Sequence, residues 1–138
     1  VVSQSIHGLG GNDAITGGSA ADWIDGGTGS DTLTGGDGSD TFQYGFDDAG
    51  SDTIMDFNHS SGGDIIRLKD VLVGYNSLTS TLSDYVTAAT SGMTNTVLTI
   101  DHDGAGGSST TISITLHNVA YSNTLLDDMI TNGNLVLA

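Results

Sequence analysis

The chain has 138 residues, with 17 Asp, no Glu, one Arg, one Lys, no Cys and no Pro, and a formal net charge of −15. The length fits one compact domain, or a small domain stacked on a repeat segment. Its apolar stretches are too short to span a membrane, no basic surface could neutralise nucleic-acid phosphates, and there are no disulfides or thiolate metal sites. Solvated acidic faces ordinarily mix Asp with Glu. Asp alone points to short carboxylates used at tight turns or as metal ligands.

The charge is uneven. Residues 1–64 hold 11 Asp and 15 Gly with no Lys or Arg, whereas residues 65–138 hold 6 Asp, 6 Gly, Arg67 and Lys69. Composition of the first kind usually means disorder, but here a strict period overrides it. Asp13, Asp22, Asp31 and Asp40 fall nine residues apart, and Ile15, Ile24, Leu33 and Phe42 follow each by two. The units are GLGGNDAIT (8–16), GGSAADWID (17–25), GGTGSDTLT (26–34) and GGDGSDTFQ (35–43). Six residues of a unit suit a turn in which glycine permits left-handed backbone. The remaining three suit a short strand whose middle side chain points inward.

Two units then close one coil, so Asp13 is expected above Asp31 and Asp22 above Asp40, ~4.8 Å apart. Two carboxylates at about that separation repel by roughly 3 kcal/mol at an effective dielectric near ~20. Four inward apolar side chains are too few to offset both this repulsion and the ordering of the repeats. A cation has to supply the difference. Ca²⁺ takes ~6–8 oxygen ligands, which paired Asp carboxylates and turn carbonyls provide. Several Ca²⁺ ions are therefore expected. Their candidate ligands lie at Asp13, Asp22, Asp31 and Asp40 and in turns built from Gly8, Gly10, Gly11, Gly17, Gly18, Gly26, Gly27, Gly29, Gly35, Gly36 and Gly38. The pattern G-G-x-G-x-D-x-U-x resembles the repeats-in-toxin (RTX) nonapeptide.

Two positions depart from it. Leu9 replaces the second glycine of unit one and Ala20 the third glycine of unit two. A side chain in left-handed backbone costs ~1–2 kcal/mol, so looser sites are expected there. Upstream, Ile6 keeps the inward register but Gln4 stands where Asp would fall. The array either begins with a capping strand or continues something longer, and the start at Val-Val without Met favours a fragment. Beyond Phe42 the period breaks. Residues 48–54 read as a degenerate fifth unit, with Asp52 either a ligand at the end of the roll or a turn residue.

The second half reads as strands with ordinary loops: residues 53–57, 64–68, 85–90, 96–101 and 110–117, the last three as a Thr-rich meander. A short helix or turn follows Asp70. A final helix is expected over 124–131, with Ser122 or Asn123 as N-cap and Gly133 as its stop. Its apolar face is Leu125, Leu126, Met129 and Ile130, and an apolar strand, residues 135–138, closes the chain.

The runs D-T-I-x-D-F (52–57), G-D-I-I-x-L (63–68) and N-G-N-L-V-L (132–137) resemble the C-terminal module of type I secreted RTX proteins, most closely that of giant bacterial adhesins. The fold class expected is all-β: a Ca²⁺-bound parallel β-roll over 1–56, then a β-rich cap with one or two short helices over 57–138. The resemblance implies a secreted or surface-bound monomer. Its roll would fold outside the cell, while its C-terminus addresses an ABC transporter of the type I secretion apparatus. The alternative is the same module at the end of a secreted protease, lipase or alginate epimerase.

Other constellations carry little. There is no G-x-S-x-G elbow, and H-E-x-x-H is impossible without Glu, so no enzyme is expected. His7, His59, His102 and His117 are scattered. Asp101-His102-Asp103-Gly104 lacks the third ligand and the Glu of a calcium-binding helix–loop–helix and reads as an acidic hairpin loop. Trp23 is expected to cover a neighbouring coil, and Arg67 and Lys69 to pair with nearby Asp. The third turn positions, Gly10, Ser19, Thr28 and Asp37, form no regular ladder of the kind that ice binding requires.

Overall fold

In the repeats, each Asp is followed directly by a strand whose second residue is the inward apolar one. The computed structural model, which describes residues 2–68, 70–104 and 111–137, has the strands β1 (Ser5–His7), β2 (Ala14–Gly18), β3 (Trp23–Asp25), β4 (Thr32–Gly36), β5 (Thr41–Gln43), β6 (Gly50–Ile54) and β7 (Ile65–Arg67). They alternate between two sheets, β1-β3-β5-β7 on one side and β2-β4-β6 on the other, with every pair parallel. Such pairing needs a crossover, and the glycine-rich turns provide it within a few residues. Ile6 pairs with Ile24, Ile24 with Phe42 and Phe42 with Ile66, while Ile15 pairs with Leu33 and Leu33 with Ile54. The expected inward column is thus present, and Ile54 and Ile66 extend it.

Both sheets run past residue 56, where the cap was expected to begin. After β7 the chain leaves the roll and forms α1 (Leu82–Tyr85), β8 (Val86–Ser91) and β9 (Asn95–Asp101). It returns as β10 (Thr111–Leu116), parallel to β6, with β9 and β8 completing an antiparallel meander. Then α2 (Leu125–Asn132) leads into β11 (Leu135–Val136), which adds to β7 in parallel. One apolar core therefore reaches from Ile15 through Leu98, Ile112 and Met129 to Leu135. The physical reason is edge pairing: β6 and β7 would otherwise expose unpaired backbone at the end of the roll.

Several boundaries differ from those expected. β6 begins at Gly50, before the predicted 53, because Gly50 is in register with Ile112 of β10. Helix α1 is the second of the one or two short helices expected in the cap, and it falls at Leu82–Tyr85, well after the turns that follow Asp70. At α2 the N-cap is Thr124, without a side-chain capping bond, so neither Ser122 nor Asn123 caps it. Gly133 stops α2 as predicted: it is left-handed, its N–H donates to Ile130, and Asn134 N–H donates to Met129. Of the expected apolar face, Leu125 and Met129 are buried and Leu126 packs against the core, while Ile130 is exposed. Lys69, Thr110 and Ala138 lie outside the described residues.

Arg67 makes no ion pair among the described residues; its guanidinium lies over the Trp23 ring, 5.2 Å from the centroid. The expected pairing of Arg67 with Asp is thus replaced by a cation–π contact, because the two strands bring it within reach of the indole face. Trp23 sits on a middle coil and is half-buried there.

Candidate metal centre

The turns stack in two ranks along the two edges of the roll. In one rank Asp13 N–H donates to Asp31 Oδ1 at 2.8 Å, and Asp31 N–H to Asp52 Oδ1 at 2.9 Å. In the other, Gln4 N–H donates to Asp22 Oδ1 (2.7 Å), Asp22 N–H to Asp40 Oδ1 (2.8 Å) and Asp40 N–H to Asp64 Oδ1 (2.9 Å). One carboxylate oxygen of each lower Asp is thus held by the backbone of the coil above. The turns are 18 residues apart in the regular coils and 21 or 24 where the chain passes the break.

The second oxygen of four carboxylates has nothing to bind. Oδ2 of Asp13, Asp22, Asp31 and Asp40 is buried without a hydrogen-bond partner. Leaving a buried, potentially charged oxygen unpaired costs several kcal/mol, roughly, so these positions call for a cation. The space beside each is kept open by the first glycine of its own unit. A Cβ at Gly8 would stand 2.8 Å from Asp13 Oδ2, and one at Gly17 2.7 Å from Asp22 Oδ2. At Gly26 and Gly35 it would press closer still on Asp31 and Asp40. No three His, Cys, Asp or Glu side chains converge among the described residues, so a cation here takes most of its oxygens from turn carbonyls. A hard ion with many oxygen ligands, Ca²⁺, matches this donor set.

The remaining predicted glycines build the turns. Gly27, Gly29, Gly36 and Gly38 are left-handed, as is Gly11 in unit one. Gly10 bridges to Thr28, and Gly18 pairs with Gly36 at the ends of β2 and β4. The two irregular positions behave differently. Leu9 takes the left-handed conformation at φ 74° and is 80% exposed, so its strain is real and no burial compensates it. In unit two neither Gly18 nor Ala20 is left-handed, so the strain expected at Ala20 is avoided by a rerouted turn.

Two further carboxylates belong to this framework and were not predicted. Asp64 closes the second rank and also accepts from Asn58 N–H at 2.8 Å. Asp56 holds two backbone N–H groups of the fourth turn, Gly35 at 2.9 Å and Gly36 at 2.8 Å. The signal for Asp64 was present: like Asp13 and its successors, it precedes an inward apolar residue, Ile66, by two. Asp56 has no such signal. By contrast His102 is buried with its ring 5.3 Å from that of Phe46, so the acidic hairpin segment packs against the roll.

Burial raises the pKa of Asp40, Asp48, Asp52 and Asp64, and neighbouring carboxylates add to it. For Asp52 the rise reaches about 6, with burial the leading cause and the charge of Asp31 also contributing. The hydroxyl of Tyr44 partly offsets it, although it makes no hydrogen bond of ordinary geometry. A raised carboxyl value means that the fold favours the protonated form. In the metal-free chain these groups therefore support the fold below their ordinary value of 3.8, and that support is lost as pH rises through their raised values, for Asp52 about 6. Chelated protein should regain β-structure when acidified from pH ~7 to pH ~4, and calcium should bind more weakly over the same descent. Circular dichroism and calcium titration at several pH values check this; a metal-free chain that loses structure on mild acidification would contradict it.

Parallel strands in two sheets, closed by stacked glycine–aspartate turns with orphaned carboxylate oxygens, define a calcium β-roll. Residues 7–42 and 16–54 match the RTX calcium-binding nonapeptide repeat, in four copies. The likeness to that family is confined to the roll segment, residues 7–54. No curated protein sequence matches the chain. Among solved structures, the AlgE6R3 subunit of the mannuronan C5-epimerase from Azotobacter vinelandii, determined in solution, is similar. The match has a TM-score of 0.53 and 24% identity, and covers 99% of this chain and 78% of that one. It shows a shared fold. Among the described residues no helix is long and apolar enough to cross a membrane.

Proposed function

We propose that this chain is a non-enzymatic, calcium-triggered folding module of a type I secreted bacterial RTX protein, a large surface adhesin. The observation that carries the reading is the pair of carboxylate ranks with four orphaned oxygens. At the low calcium of the cytoplasm, repulsion within each rank keeps the roll open and threadable. Outside the cell, calcium binds only the folded form and stabilises it by mass action.

The export address in this reading lies in α2 and the segment after it. Both become part of the folded core, where Leu125, Met129 and Leu135 are buried. An address built from them is therefore readable in the unfolded chain and hidden once the roll closes, which suits a one-way signal. The test is export of an unfolded reporter fused ahead of residues 65–138 through a type I transporter. Deleting 122–138 should abolish export. Because the cargo is unfolded in the donor cell, a merely structural role for these residues would leave export intact, and that result would sink the address.

The rival reading places the same module on a secreted enzyme, and the shared fold of the epimerase subunit is compatible with it. Upstream sequence distinguishes the two: tandem Ig-like repeats favour the adhesin, and a catalytic motif favours the enzyme.

A further inference from the structure

Among the described residues the second sheet ends in an edge strand, β8, which is bonded to β9 on one side only. Edge strands of soluble proteins are usually blunted by Lys, Pro, bulges or inward charges. β8 reads Val86-Thr87-Ala88-Ala89-Thr90-Ser91 and has none of the charged or proline devices. Beside it lies a cavity of about 340 Å³, lined by Leu82, Val86 and Ala88 on one wall and by Tyr121, Leu126 and Asp127 on the other. Val86 and Ala88 belong to the inward face of β8, since Val86 is fully buried and Ala88 packs against the core. The cavity therefore lies against the inward face of β8 at the edge of the sheet.

The charge around this groove is one-sided. From residue 70 onward the chain has six Asp and no Lys or Arg. Asp84 precedes the groove on α1, and Asp127 and Asp128 stand exposed in the first turn of α2. A second copy of this chain, itself at −15, would meet strong repulsion at such an edge.

We infer that the groove between β8 and α2 binds an extended, cationic peptide segment of another protein by strand addition. The main-chain bonds come from the edge of β8 beyond Val86, whose own N–H already donates to Leu82 O. Apolar side chains at alternate positions of the peptide enter the cavity, and its Lys or Arg residues face Asp84, Asp127 and Asp128. This inference concerns a different surface from the carboxylate ranks and stands independently of the export reading.

A seven-residue probe, Arg-Val-Thr-Val-Arg-Val-Thr, tests it on the calcium-loaded full chain. Titration at low salt should shift the backbone amides of 86–91 and 121–127 in NMR spectra. The same peptide N-methylated at alternate amides should bind at least tenfold more weakly, as should a version with Glu in place of Arg. Ala88→Leu, which fills the cavity from the strand side, should weaken the probe tenfold while leaving its own calcium-bound spectrum folded. The N-methylated probe leaves the protein unaltered, so it decides the matter even where the variant misfolds. Equal binding of the N-methylated probe, shifts confined to another surface, or no shift at millimolar probe would each overturn the proposal. So would self-association of the chain through β8, or saturable binding of a neutral sugar there without any peptide response.

Discussion

Removal of calcium should unfold the roll, with loss of the parallel sheets from β1 through β7. The inward column Ile15, Ile24, Leu33, Phe42, Ile54 and Ile66 is buried, but it supplies only one apolar residue per strand. Against it stand the ordering of long glycine-rich turns and repulsion within two carboxylate ranks, roughly 3 kcal/mol for each adjacent pair if both are charged. Calcium reverses that balance. One site at a free concentration of 100 times its dissociation constant contributes about 2.7 kcal/mol. A few such sites approach the ~5–15 kcal/mol that a typical domain has in total. Far-UV circular dichroism with chelator, then with Ca²⁺ or Mg²⁺ restored, reads this directly. Ca²⁺ should recover the β-signal and Mg²⁺ should not, because it requires a small octahedron and gives up water reluctantly. An equal signal in all three conditions would mean that the core alone suffices.

The second large effect concerns the ranks. Asp31 sits between Asp13 and Asp52, and Asp40 between Asp22 and Asp64. Each accepts a backbone N–H from the coil above, and each has an orphaned Oδ2. Asp31→Ala or Asp40→Ala should therefore remove calcium binding in its rank and leave an N–H unsatisfied, that of part-buried Asp13 or of buried Asp22. The lost hydrogen bond alone costs ~1–3 kcal/mol. Asp13→Ala combined with Asp31→Ala should cost little more than Asp31→Ala, since the shared site is already lost. Asp31→Ala with Asp40→Ala should be closer to additive, because the two lie in different ranks. Calcium titration and thermal midpoints of the singles and doubles decide this. Full additivity within the Asp13 and Asp31 pair would reject the shared coil edge.

The roll was legible because its physics is local and periodic. An Asp two residues before an apolar side chain, repeated every nine residues, determines both the strand and its inward face at Ile15, Ile24, Leu33 and Phe42. The continuation was harder to read because the spacing changes while the geometry does not. Asp52 and Asp64 occupy the same rank positions, but the chain reaches them through 21-residue and 24-residue coils. The pairing of β6 with β10 and of β7 with β11 depends on which edges remain open after three coils. That contact is between distant residues and leaves no periodic trace. Asp56 shows the limit most clearly. Its role, holding Gly35 and Gly36, arises only once the coils stack. At Ala20 the substitution was visible, yet the backbone's escape from strain was not, because it depends on the whole turn.

The most direct test of the metal centre is anomalous diffraction from crystals of the calcium-loaded chain. The orphaned oxygens predict calcium peaks along both edges of the roll, each ~2.3–2.6 Å from Oδ2 of Asp13, Asp22, Asp31 or Asp40, with turn carbonyls completing the shell. Calcium found elsewhere, such as at Asp101 and Asp103, with those four oxygens still bare in a folded roll, would contradict it.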